Sequence, residues 1–219
     1  MGFGLEKICC VVDSAQVVGK AKQRCKLVEA RLDLLGVNFG LKVVKELSSF
    51  GLKVIATLRD WREGGRYRGP PKEKLNVLEK ALGFGAWLVD VEYRFELVDE
   101  TLERLRGKVI LSHHNFEYTP EPEMLYAIAG DMLRSGATLA KVVTTARRLE
   151  DNFRLLGLNV RWPGKVVAFA MGSIGRLSRI LAPAYGAPYT YATLGKPVAP
   201  SQPTIDEILG AWRLLGLLS

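Results

Sequence analysis

This chain has little of what several protein classes require. Its 219 residues include only three cysteines, and Cys9, Cys10 and Cys25 lack metal-ligand spacing. They predict neither a metal site nor a disulfide framework, but reduced, packed side chains in a cytoplasmic protein. No apolar run approaches a membrane-spanning length, so no membrane partner is expected. The opening MGFGLEKICCVVD has too short an apolar stretch for a signal peptide, and Glu6 breaks the myristoylation pattern. Linkers, low-complexity tracts and charged tails are missing, which predicts one domain over residues 1–219. Asn and Gln are scarce beside Arg, Leu and Val, a composition that points toward a thermophile.

The formal charge is +8. Its densest stretch, Lys20, Lys22, Arg24 and Lys26, falls mostly on a predicted helix and reads as a solvated face. Aromatic residues do not interleave with the basic ones, so no nucleic-acid partner is expected. A basic protein can equally attract a small anionic substrate.

Strand and helix patterns alternate throughout. Strands are predicted near 6–12, 27–33, 53–59, 87–93, 108–114, 138–144, 165–171 and 188–194. Helices are predicted near 14–25, 39–49, 71–83, 99–105, 121–134, 147–156, 175–182 and 204–217. Gly51, Gly85, Gly107, Gly136 and Gly157 punctuate the helix-to-strand joints as candidate left-handed caps. Eight strand–helix units predict an α/β fold, a TIM (β/α)8 barrel. An open doubly wound sheet is the structural alternative. It would usually carry a glycine-rich phosphate turn after its first strand, and CCVVDSAQ has none.

Strand parity adds the orientation. Val28, Ala30 and Leu32 share one face, and Glu29, Arg31 and Asp33 the other. Val89, Val91 and Tyr93 oppose Asp90, Glu92 and Arg94, and Val54, Ala56 and Leu58 oppose Thr57 and Arg59. Helices cover a barrel from outside, so the apolar faces point outward and the charges inward. Buried charges cost several kcal/mol each unless paired. Several of them meeting in one lumen read as an active site at the C-terminal ends of the strands, or as a structural ion-pair network.

Lys141 alternates with Ala140 and Val142 and so points inward. A desolvated lysine gives up its proton more readily and becomes a nucleophile toward ketones. A barrel-end lysine paired to a carboxylate is the structural reading. His114 shares parity with Ile110 and Ser112, so it also points inward, where it can move protons near neutral pH. His113 has the opposite parity and is expected at the helical layer or the strand rim. Asn115, Thr119 and Pro120 read as loop and helix-start residues. From the Arg- and Gly-rich loop WREGGRYRGPP, Glu63 could reach over the lumen, as could Arg59 just before it.

Seven segments in order resemble the type I 3-dehydroquinate dehydratases, a family of Schiff-base enzymes of the shikimate pathway. EARLDLL resembles the family's E-x-R-x-D strand, and TLRDWREGG its T-x-R-x-x-x-E-G-G segment. VDVE, SHHNFEYTP and LAKVV resemble the aspartate–glutamate, histidine and lysine segments. AMGSIGRLSRILAPAYG and APSQPT resemble the M-x-x-x-G-x-x-SR segment and the end of the lid motif.

That resemblance implies roles. Lys141 forms an imine with the C3 ketone of 3-dehydroquinate. His114 removes a C2 proton and protonates the departing C1 hydroxyl, and Glu63 orients or tunes it. Glu29, Arg31 and Arg59 hold substrate hydroxyls, Arg179 pairs with the carboxylate, and Met171 and Tyr191 form apolar walls. Gln202 reaches substrate from the loop after the eighth strand, and Asp90 and Glu92 supply charge around Lys141. The resemblance also implies a homodimer and chemistry that needs no cofactor.

Some positions depart from the pattern. Asn115 stands where the family has aspartate, Val198 where the lid has serine, and Ser201 where it has glycine. The N-terminal hairpin that plugs the barrel bottom in many relatives is expected to be missing. A class I aldolase on the same fold remains a rival; Gly172, Ser173 and Gly175 are a weak phosphate-site signal for it. A non-catalytic ligand-binding barrel is the other.

Overall fold

The computed structural model describes residues 2–195 and 201–218. Strand β1 (Ile8–Val12) leads to helix α1 (Ala15–Arg24), and β2 (Leu27–Arg31) leads to a short α2 (Leu32–Leu35) and α3 (Val37–Ser49). There follow β3 (Lys53–Thr57), α4 (Pro71–Gly83), β4 (Leu88–Glu92), α5 (Val98–Arg104), β5 (Val109–Asn115) and α6 (Pro122–Arg134). The chain then runs through β6 (Leu139–Thr145), α7 (Glu150–Arg161), β7 (Val166–Met171), α8 (Arg176–Leu181), β8 (Thr190–Thr193) and α9 (Ile205–Leu214). The strands pair in parallel in the order β7-β6-β5-β4-β3-β2-β1-β8, which curls into a nearly closed barrel. The fold is the expected TIM barrel.

Alternation along each strand separates two cores. Val28, Ala30, Val54, Ala56, Val89 and Val91 lie in the layer under the helices. Inside the barrel, Cys9, Leu27, Ile55, Leu88, Ile110, Leu139, Val167 and Tyr189 belong to a second apolar cluster that floors the lumen. The charges stand above this floor, toward the C-terminal ends of the strands.

Boundaries shift where a local preference wins. Strand β2 stops at Arg31 because Leu32–Leu35 form α2, and β1 starts at Ile8 after a 3-10 turn at Leu5–Lys7. Phe3 bridges to Leu218 and meets Trp212 edge-on at 5.1 Å, and no hairpin occurs before β1 among the described residues. Asn115 closes β5 rather than opening a loop; its Oδ1 accepts from the backbone N–H groups of Glu117 and Tyr118. Gly51, Gly85, Gly107 and Gly136 take positive φ as the caps require. Gly157 does not. It sits inside α7, where a Cβ would come 3.0 Å from the Tyr126 hydroxyl, so its use is close packing against α6.

The cysteines correct a second expectation. Cys10 and Cys25 form a disulfide, and only Cys9 of the three is free. Parity explains the choice. Cys10 points out of the barrel toward Cys25, which caps α1 6.5 Å away between Cα atoms, whereas Cys9 points into the lumen. Unfolded without reductant, the protein is expected to expose one titratable thiol; three would reject the bridge. For a closed loop of this size the constraint is worth ~3 kcal/mol, so Cys25→Ala is expected to lower the calorimetric melting temperature by several degrees.

Candidate active site

Adjacent strands deliver their inward side chains to one level of the lumen. The Lys141 Nζ on β6 donates to Asp90 Oδ2 at 3.0 Å and to Glu29 Oε1 at 3.4 Å, and lies 4.4 Å from the centre of the Tyr191 ring. Thr57 Oγ1 donates to Glu29 at 2.9 Å. Arg59, just past β3, pairs with Asp90 at 2.5 Å and Glu92 at 3.2 Å, and donates to Ser112 Oγ at 2.8 Å. Glu92 is also bound by Lys74 and by the backbone N–H of Asp60. Three buried cations, Lys141, Arg59 and Lys74, thus face three buried carboxylates, Glu29, Asp90 and Glu92. Balance of this kind is what lets so much charge leave water. Burial alone would raise Asp90, yet Arg59 and Lys141 hold it well below the usual carboxylate range. Burial likewise works against Glu92, and Arg59 and Lys74 lower it. Glu92 touches Arg59 and Lys74, so it reaches Lys141 only through the Arg59–Asp90 pair.

Beside Lys141 sits a histidine–carboxylate pair. His114 Nδ1 and Glu63 Oε2 are 2.8 Å apart. Glu63 ends a 3-10 turn (Trp61–Glu63) whose N-cap, Asp60, accepts from the Arg62 N–H. The two glycines that follow are sterically required. Gly64 holds φ 76, and a Cβ there would come 2.9 Å from Phe116, whose ring stacks on His114. A Cβ on Gly65 would fall 2.0 Å from the Arg59 carbonyl oxygen. Burial raises Glu63 to about 7 against the pull of Arg59. Burial, then the Arg59 and Lys141 charges, push His114 well below the ordinary imidazole value. Both shifts favour an uncharged pair over an ion pair.

Opposite them is a cation without a counter-ion. Arg179 is buried, its Nε donates to the Ala170 carbonyl at 3.2 Å, and its guanidinium lies 4.4 Å from the Phe169 ring centre. It has no carboxylate partner among the described residues, and burial lowers it to about 10. The Gln202 Oε1 is buried with no hydrogen-bond partner among the described residues. Both side chains line the cavity that holds Lys141, His114 and Glu63, where the guanidinium can meet an anionic guest and the Gln202 oxygen can accept from a guest's hydroxyl.

Of the residues expected at the site, Glu29, Arg31, Arg59, Glu63, His114, Lys141, Met171, Arg179, Tyr191 and Gln202 line this one cavity. Asp90 and Glu92 lie just behind its wall. Arg31 is tied by two hydrogen bonds to Asp33. His113 does not line the Lys141 cavity; it borders a second cavity with Arg94, which His114 and Glu63 also border. Ser201 takes φ 57, the left-handed conformation that the expected glycine would adopt freely. Val198 lies outside the described residues. Gly172, Ser173 and Gly175 are not in the cavity lining. Lys74, Val11, Phe116, Val143 and Phe169 are participants that the sequence pattern does not single out. Phe169 was accessible in principle, because it shares the inward parity of Val167 and Met171. Lys74 was not, since nothing in a helix pattern signals a lysine turned toward a strand.

Fold and site together define a (β/α)8 barrel with a buried lysine, a histidine–carboxylate pair and a buried arginine at the C-terminal ends of its strands. A family model described as type I 3-dehydroquinase matches residues 10–219. The chain belongs to that family. It is 42% identical over 214 residues to a 3-dehydroquinate dehydratase of Dehalococcoides mccartyi, covering 94% of each chain. The crystal structure of the Geobacillus kaustophilus 3-dehydroquinate dehydratase superposes with a TM-score of 0.85 at 25% identity, covering 96% of this chain and 91% of that one. That from Aquifex aeolicus gives 0.80 at 27% identity, with 93% and 95% covered.

A buried guanidinium with no carboxylate partner among the described residues is a cost to folding. Arg179→Met is therefore expected to leave the melting temperature unchanged or higher. It is also expected to raise KM for an anionic substrate roughly 10- to 150-fold, the equivalent of ~1.5–3 kcal/mol for hydrogen bonds to a charged group. Steady-state kinetics and calorimetry on the same preparation check both halves.

Proposed function

We propose that this protein dehydrates 3-dehydroquinate to 3-dehydroshikimate through an imine on Lys141, the hydro-lyase step of the shikimate pathway that feeds aromatic amino acid biosynthesis. The observation that carries this reading is the opening of Lys141, the His114–Glu63 pair and Arg179 onto one cavity. Lys141 attacks the C3 carbonyl, and water leaves to give the iminium. Asp90 and Glu29 lie where they stabilise that cation. His114 takes a C2 proton through Nε2, and the electron pair flows into the iminium to give a neutral enamine. His114 then returns the proton to the departing C1 hydroxyl, and water hydrolyses the conjugated imine to release product and Lys141. Arg179 pairs with the carboxylate, and Gln202 reaches the substrate from the loop after β8. The steps draw on no metal or nicotinamide. Cytoplasmic location and pairing into a homodimer are part of the same reading and rest on family resemblance.

The tautomer of His114 depends on the Glu63 proton. Ionised Glu63 accepts Nδ1–H and leaves Nε2 free as a base, whereas protonated Glu63 donates to Nδ1 and puts the hydrogen on Nε2. With Glu63 raised to about 7, kcat/KM is expected to fall on the acid side with a midpoint near that pH. Glu63→Gln cannot ionise and is expected to lose that limb along with most of the rate. The test is ultraviolet absorption of the conjugated enone product across pH. No enone at any pH sinks the function, and a Glu63→Gln profile parallel to wild type sinks the assignment of the limb. The same raised value has a stability consequence. The folded protein holds this proton longer than the unfolded chain, so on this group's account stability declines as pH rises from 4.5 to about 7.

A further inference from the structure

Lys74 lies outside the barrel in sequence terms, in the first turn of α4, where the helix dipole disfavours a cation. Its ammonium is nevertheless buried, against Glu92 and over the Phe95 ring at 5.1 Å. The contact matters because of what else Glu92 holds. Oε2 accepts from Lys74, and Oε1 accepts from the Asp60 N–H at 2.9 Å and lies 3.2 Å from Arg59. Asp60 is the N-cap of the turn that carries Glu63, and Glu63 holds His114. One chain of contacts therefore runs from α4 through β4 to the corner after β3 and into the acid–base pair.

We propose that Lys74 is a positioning residue for the reaction. Through Glu92 it anchors the Arg59–Asp60 corner from which Glu63 reaches His114, and its charge offsets Glu92 next to that pair. Without the ammonium, Glu92 would keep its negative charge with Arg59 as its one cationic partner, and Arg59 is already shared with Asp90. The proposal rests on the dehydratase reading above.

The electrostatic consequence has a definite sign. Glu63 is faced by Arg59 from the end of β3, by Asp90 and Glu92 from β4, by His114 from β5 and by Lys74 from α4. His114 is faced in turn by Arg59, Lys141, Asp90 and His113. Lys74 itself meets Glu92, Arg59 and Asp60. Of the charges facing Glu63, Arg59 and Lys74 favour its ionised form, and Glu92 and Asp90 disfavour it. Deleting the Lys74 charge makes the pair lose its acidic proton at a higher pH.

Lys74→Met keeps the length and apolar stem of the side chain and removes the charge. In the enone assay it is expected to move the acid limb of kcat/KM upward by about one pH unit, as loss of one partly screened charge implies. At pH 6 this lowers kcat/KM roughly 10-fold, with KM changed less than ~3-fold, and borohydride still traps the Lys141 adduct. Lys74→Arg retains the charge and is expected to restore the wild-type midpoint. Should Lys74→Met melt below the assay temperature, Lys74→Gln, which can donate to Glu92 but carries no charge, must show the same shift. An unmoved midpoint in a folded neutral variant overturns the proposal. So does an equal loss of kcat at every pH, the result expected of packing damage. If wild-type protein yields no enone, the dehydratase reading fails and this role with it. A working wild type whose pH profile superimposes on that of Lys74→Met removes the Lys74 role alone.

Discussion

Borohydride added with 3-dehydroquinate is expected to inactivate the protein completely, with the reduced adduct on Lys141 and on no other lysine. The reason is position. Lys141 stands in the lumen with its Nζ between Asp90 and Glu29 and over the Tyr191 ring, inside the cavity that also exposes His114 and Arg179. Lys74 is buried as well, but its ammonium is bound by Glu92 behind the cavity wall. No other lysine lines that cavity among the described residues. Lys141→Ala is expected to give no reducible adduct and to reduce turnover to background. A chelator is expected to leave wild-type activity intact. Peptide mapping decides the matter: an adduct on another lysine, or none at all, rejects the imine and with it the mechanism proposed here.

His114→Ala is expected to lower kcat roughly 100- to 10,000-fold, the usual contribution of a positioned general acid–base group. The same variant should still form a reducible imine on Lys141, because the nucleophile and its carboxylates are untouched. The adjacent histidine is the internal control. His113 points into the neighbouring cavity beside Arg94, and burial and that arginine lower its pKa. A folded His113→Ala protein should turn over near the wild-type rate. Reversal of the two phenotypes would mean that β5 is displaced by one residue, since a single-residue slip exchanges the faces of a strand. Rapid-quench measurement of adduct formation separates a lost proton transfer from a lost nucleophile in both variants.

Strand parity carried most of the site from sequence to structure. The period of two placed Glu29, Thr57, Arg59, Asp90, His114 and Lys141 on the inner face, because outward positions must be apolar where helices cover them. Boundaries were less legible. Arg31 and Asp33 have the same strand parity, but the chain turns into α2 at Leu32, and the two side chains close a local ion pair. Gly157 looked like a helix cap by spacing, yet its helix continues to Arg161 because Leu158 and Asn159 still have a core to face. The cysteines misled in the opposite direction. Spacing in sequence says nothing about two thiols brought together by the packing of α1 on β1.

The amino-acid pattern by itself determined the eight strand–helix units, the polar lumen at the strand ends and the inward lysine and histidine. These follow from local periodicity, a property of neighbours along the chain. Only the tertiary structure decided which charge meets which. It put Asp90 against Lys141 and Arg59, gave Glu92 to Lys74, left Arg179 without a carboxylate among the described residues and joined Cys10 to Cys25. Those partners come from separate elements across the barrel, and their pairing is set by three-dimensional register and by the cost of burying an unmatched charge. No one-dimensional pattern contains either quantity.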